Sequence, residues 1–114
     1  MSFEIKIRKT GRAGWMDYIE EGRSLHFRWD LNTEGAEVYV PTPYEWDVFC
    51  EKSAADWARG RRQEILERLA QEYCRQRAKK AKWRIADHWI LISFENYRIH
   101  SLLKKLLGHN EQKG

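Results

Sequence analysis

Between Arg59 and Lys82 stand nine basic residues, Arg59, Arg61, Arg62, Arg68, Arg75, Arg77, Lys79, Lys80 and Lys82, with Trp83 directly after them. Cationic side chains on one helix neutralise phosphates, and an indole beside them stacks on an unpaired base, so this segment offers the chemistry of nucleic-acid binding. Against that stands a plainer reading. A surface helix has to be polar on its outer side, and Arg and Lys towards its C-terminal end suit the helix dipole.

The rest of the charge weighs between the two. Residues 1–58 carry seven Lys or Arg against eleven Asp or Glu, whereas residues 59–84 carry ten against three. Acidic and basic halves within one small domain attract a complementary protein surface and give a weak grip on a uniformly negative polymer. No named nucleic-acid module matches the pattern either. The expected function is therefore that of a non-enzymatic interaction module, of accessory or immunity type as in small bacterial proteins, with another protein as partner. Nucleic acid bound through the basic helix at 59–84 is the alternative. The expected binding surface comprises Arg61, Arg68, Arg75, Lys79 and Trp83, all taken to be accessible, together with the aromatic residues Trp15, Tyr39 and Tyr44.

Other chemistries find less support. His26, His88, His100 and His109 have no mutual i,i+3 or i,i+4 spacing and no cysteine at ligand spacing, so no metal is expected. Cys50 and Cys74 fall within helical patterns on apolar faces, where burial raises a thiol pKa and disfavours the nucleophilic thiolate. They are expected to be reduced and unpaired. Gly11 and Gly14 do not make a phosphate-binding loop, and no cofactor is expected. Glu20 and Glu21 are adjacent in a turn, where hydration is the expected fate of both carboxylates. No catalytic residue is assigned.

The elements that must carry these residues follow from periodicity. Thr42-Pro43-Tyr44-Glu45 has capping-box spacing and predicts a helix from about Pro43, its buried stripe formed by Trp46, Phe49, Cys50, Ser53, Ala54 and Trp57. Gly60 interrupts, and Ile65, Leu66, Leu69, Ala70, Tyr73 and Cys74 form the stripe of a second helix. Before them, Phe3, Ile5 and Ile7 alternate with charged residues, and Leu25, Phe27, Trp29 and Leu31 alternate with His26, Arg28 and Asp30. With a less regular strand at Trp15–Glu20 and another at Ala36–Val40, these read as a four-stranded antiparallel meander. Trp83–Phe94 returns to strand composition, and a stripe of Ile99, Leu102, Leu103, Leu106 and Leu107 predicts a C-terminal helix ending at Gly108.

The expected class is α+β: one antiparallel sheet packed on one face by helices at 43–58, 61–79 and 95–107, with Phe27, Trp29, Leu66 and Leu69 in its core and 109–114 as a polar tail. A chain of 114 residues with 42% hydrophobic and 33% charged side chains suits one globular domain and argues against disorder. No apolar run approaches a membrane span, and Met1-Ser2-Phe3-Glu4 opens on strand alternation instead of a leader, so a cytoplasmic location without membrane contact is expected.

Overall fold

The computed structural model describes residues 2–94. Four strands come first, β1 (Phe3–Thr10), β2 (Ala13–Glu20), β3 (Arg23–Leu31) and β4 (Gly35–Tyr39). Two helices follow, α1 (Trp46–Lys52) and α2 (Arg62–Arg77), with a 3-10 turn at Asp56–Ala58 between them, and then β5 (Lys82–Ile85) and β6 (Trp89–Ser93). All strand pairs are antiparallel, and the order across the sheet is β1-β2-β3-β4-β6-β5. The meander expected from alternation is thus present, extended by a hairpin that inserts β6 beside β4.

Each tight connection has local chemistry to match. Glu21 and Gly22 both adopt positive φ, 52° and 76°, as the two-residue turn of a right-twisted hairpin demands. Asn32 closes the β3–β4 turn by accepting from the amides of Glu34 at 2.9 Å and Gly35 at 2.7 Å. At Gly14 the sheet tolerates no side chain, because a Cβ there would lie 1.8 Å from the Arg8 carbonyl oxygen.

The helices cover one face. Ile65, Leu66, Leu69, Ala70, Tyr73 and Cys74 of α2 are all buried, against a sheet layer that includes Met16, Tyr18, Leu25, Phe27, Trp29, Val38, Ile90 and Ile92. Aromatic rings lock the interface. Trp29 meets Tyr73 edge-on with centroids 5.7 Å apart, and Phe27 stacks on Trp46 at 6.2 Å and tilts against Phe49 at 5.7 Å.

The helix expected over 43–58 is shorter and broken. The capping box does close, with the Glu45 amide donating to Thr42 Oγ1 at 3.1 Å and the Thr42 amide donating to Glu45 Oε1 at 3.2 Å. It closes a turn, however, and α1 begins only at Trp46. Beyond Lys52 the chain leaves the helix through Ala54, a non-glycine residue at φ 53°, and returns as the 3-10 turn. Trp46 explains the reversal: its indole N–H donates to the Ala58 carbonyl at 2.8 Å, and the small buried residues Ala55 and Ala58 let the returning chain pass close to α1. The helix expected at 61–79 is α2 with its ends trimmed. The Ala86-Asp87-His88 segment is the turn of the β5–β6 hairpin, closed by the Ala86 amide donating to the Trp89 carbonyl at 2.7 Å. The helix expected at 95–107, the tail at 109–114 and two of the histidines, His100 and His109, lie outside the described residues.

Cys50 and Cys74 are free and buried. Burial pushes the Cys50 thiol up to about 11 and also raises that of Cys74.

Trp29 is 1% exposed at the centre of the layer. Trp29→Ala is expected to cost about 3–5 kcal/mol, read as a lowered urea midpoint at unchanged slope.

Candidate functional site

The basic segment expected to present a continuous cationic face is divided by the fold. Its first part turns inward. Glu20, on the core side of β2, is 2% exposed, and a carboxylate taken out of water must be paired or neutralised. Arg61 meets it with two guanidinium nitrogens, Nη1 to Oε1 at 3.0 Å and Nη2 to Oε2 at 2.9 Å. The Tyr18 hydroxyl donates to Glu20 at 2.6 Å and accepts from Arg68 at 2.6 Å. Glu64 on α2 completes the group, binding Arg61 at 2.8 Å and Arg68 at 3.1 Å.

Aromatic rings surround these guanidinium groups. Phe3 stacks on Tyr18 at 5.7 Å and Tyr18 on Trp57 at 6.1 Å, while Arg68 lies 4.4 Å over Phe3 and Arg61 and Arg23 lie 5.9 Å and 5.0 Å from Trp57. The hydrogen bonds from Arg61 hold Glu20 below the usual carboxylate pKa, against the opposing effect of burial. Burial, reinforced by Glu20, raises Tyr18.

Arg62 is also engaged. It donates to the Pro41 carbonyl at 2.9 Å and to the Ala86 and Asp87 carbonyls at 3.1 and 2.9 Å, tying the start of α2 to the end of β4 and the hairpin turn. Arg61 and Arg68, expected on an open surface, are therefore only 22% and 25% exposed at their side chains and act as internal counterions. Glu20, expected in water, is the reason.

The other expected residues are separated. Arg75 is exposed and paired with Glu72, and Lys79 is exposed in the turn after α2. Trp83 is half-buried against the core and lines a cleft of about 250 Å³ with Asn32, Lys82 and Ser93. Tyr44, 95% exposed, borders a shallow apolar groove of about 390 Å³ with Pro41, Val48 and Phe49. Trp15 and Tyr39 share a different surface, the sheet face opposite the helices, where they are 45% and 41% exposed.

That open face is ordered by strand register. Arg8 pairs with Trp15, Trp15 with Arg28, and Tyr39 with Trp89, so cationic and aromatic residues succeed one another across the strands. Neighbouring strands lie about 4.8 Å apart. Carboxylates interleave with the cations: Arg8 binds Asp17 at 2.7 Å, Arg28 approaches Asp30 at 3.9 Å, and the Tyr39 hydroxyl donates to Asp30 at 2.8 Å.

One cluster on this face was not singled out from sequence. His26 Nδ1 lies 2.7 Å from Asp17 Oδ1, and Ser24 Oγ lies 3.4 Å from His26 Nε2. A serine two residues before a histidine on one strand, with an aspartate in the neighbouring strand, is the signal that could have found it. Hydroxyl, imidazole and carboxylate follow in the order of a nucleophile relay, but acyl transfer also needs donors converging on the developing oxyanion. Ser24 stands on an extended strand whose successive amides point to opposite edges, so neighbouring amides do not converge beside its hydroxyl. Burial raises the Asp17 pKa, and the hydrogen bonds from Arg8 and His26 outweigh it, leaving Asp17 below its ordinary value. The cluster is suited to presenting charge.

Among the described residues no group of three or more His, Cys, Asp or Glu is arranged to hold a metal ion, and no helix is long and apolar enough to cross a membrane. Compared with protein-family models, curated proteins and solved structures, the chain has no match.

The Glu20 pairing has a signed pH dependence. Its stabilisation is fully present above the ordinary glutamate value of 4.5 and is lost as pH falls through the lower folded value. Urea unfolding from about pH 5 to about pH 3 is expected to show a steeper loss of stability in the wild type than in Glu20→Gln. At neutral pH, Glu20→Ala is expected to cost about 3–5 kcal/mol, because two arginines lose their buried partner.

Proposed function

We propose that this chain is a non-enzymatic protein-interaction module, of accessory or immunity type, which docks its partner on the open sheet face. The observation that carries the reading is the exposure of Trp15 and Tyr39 side by side with Arg8 and Arg28 on a face that no described element covers. Trp, Tyr and Arg are the residues that dominate binding energy at protein interfaces, because each joins a large contact area to a polar tip.

The charge pattern favours protein over polyanion. Asp17 and Asp30 stand among the cations of this face, so its field alternates in sign over a few ångströms. A phosphate backbone would be repelled wherever it met a carboxylate, while a protein can answer each sign with its opposite. The basic helix supports the same choice, since Arg61, Arg62 and Arg68 are held by internal acceptors and Arg75 has Glu72.

A photo-crosslinking residue placed at Trp15 or Tyr39 in the cell of origin is expected to give one discrete protein adduct, lost on Arg28→Glu, whereas the same group at the exposed Gln63 on α2 gives none. Equal labelling from both sides, or no adduct, would refute the docking face. Oligonucleotide titration followed by Trp fluorescence at two salt concentrations checks the other class. Steeply salt-dependent binding that disappears in Arg75→Gln/Lys79→Gln would assign the protein to nucleic acid.

A further inference from the structure

We infer that β1 is a self-association edge, on which a second copy of this chain adds antiparallel to join two sheets into one. The inference concerns the rim of the sheet and stands independently of the open-face reading. Among the described residues, no strand pairs with the outer side of β1, which at eight residues is twice the length of β5, the opposite edge. A long unpaired edge is a template for another strand unless it is blocked.

The backbone sets which residues take part. Gln76 of α2 donates to the Ile5 carbonyl at 3.4 Å, which marks Ile5 as a residue whose main-chain groups face away from β2. In an antiparallel strand that orientation alternates, so Phe3, Ile5 and Ile7 all present an amide and a carbonyl to the rim. Gln76 gives up only this long contact when a strand arrives, and it retains its 2.7 Å bond to Glu72.

The side chains then select the register. With the two-fold axis at Ile5, Ile5 faces its own copy, Phe3 faces Ile7 of the other chain and Glu4 faces Lys6. Apolar residues meet on the helix side, where Phe3 is 40% exposed and Ile7 is half-buried. On the open side two Glu–Lys pairs form. Opposite charges directly across strands stabilise a pair, and like charges there destabilise it. Moving the axis to Lys6 sets two lysines against each other and Phe3 against Lys9, while moving it to Glu4 opposes two glutamates. Only the Ile5-centred register among these matches every sign and every apolar position. It is also isologous, as a closed dimer requires. A one-strand seam buries less than the roughly 1,600 Å² of a standard interface, so the dimer should dissociate on dilution.

Sedimentation of the full chain across a wide concentration range provides the test. The expected result is a reversible rise from one chain mass to twice that mass. Glu4→Lys and Lys6→Glu are each expected to hold the protein at one chain mass, and the double variant Glu4→Lys/Lys6→Glu to restore the dimer, because its pairs are the same pairs reversed. Both positions are exposed, and circular dichroism with thermal melting verifies that each variant is folded. A wild type that stays at one chain mass throughout would overturn the inference. So would a dimer indifferent to the single changes, or a double variant that fails to recover.

Discussion

A single dehydrated carboxylate organises much of this molecule. Glu20 lies 2% exposed at the end of β2, and leaving such a charge unpaired would cost several kcal/mol, more than the difference between the best and worst ordinary helix formers at any one position. The requirement is met by Arg61 and Arg68, one just before α2 and the other two turns along it. Two anchor points fix both the rotation and the translation of the helix against the strand. Tyr18 is then obliged to face the same way, donating to one partner and accepting from the other. The contrast with Arg75 and Glu72 is instructive, since Arg75 is exposed, water screens the pair, and both partners stand on the same helix, so it fastens α2 to no strand.

How far the sequence discloses this depends on the kind of residue. Where a strand or helix divides cleanly into wet and dry positions, as β3 does with Leu25, Phe27 and Trp29 or α2 with Ile65, Leu66 and Leu69, periodicity is sufficient, and these residues are buried as expected. β2 is harder to read because its two faces are mixed: Glu20 faces the core beside Met16 and Tyr18, while Trp15 faces outward. A pattern of apolar-in and polar-out cannot identify a strand whose inner face carries an ion pair. The same blindness applies to Arg61 and Arg68, because a guanidinium matched by a carboxylate more than forty residues away has the same letter as one that stays in solvent. The break after α1 was equally hidden, since it depends on Ala54 adopting positive φ and on the Trp46 indole finding the Ala58 carbonyl. Neither is a local propensity.

Placing all described helices on one side leaves the other sheet face to solve its own solvation. It does so with cross-strand ion pairs and with aromatic residues whose edges or hydroxyls remain wet, as in the Tyr39 bond to Asp30. Of the four aromatic and four basic residues expected to form one surface, only Trp15 and Tyr39 come together there. Tyr44 belongs to the α1 groove, Trp83 to the cleft beside β5, and the basic residues to the far side of the molecule. The candidate site is therefore smaller than the sequence suggests and differently composed. Arg8 and Arg28, from strands where they read as ordinary solvated positions, replace the helical arginines.

The sheet that supports this face is unevenly joined. β1, β2 and β3 pair over their full length, but β3 and β4 pair only at Trp29–Val38, Asp30–Glu37 and Leu31–Ala36. Trp15 and Tyr39 stand on opposite sides of that short seam, so its three residue pairs alone are a slender basis for holding the two aromatics in place. The helices carry the remainder. α1 sets Trp46 and Phe49 against Phe27 beside the seam, and the start of α2 straddles it, with Arg61 and, two turns on, Arg68 fastened to β2 and the neighbouring Arg62 fastened to the carbonyls of Pro41, Ala86 and Asp87. The two fastenings differ in kind. Carbonyl acceptors do not titrate, whereas the Glu20 carboxylate does, so acid loosens the brace only where it meets β2. The open face lies on the far side of the sheet from every group in the clamp, so the clamp supports Trp15 and Tyr39 only through the strands that carry them.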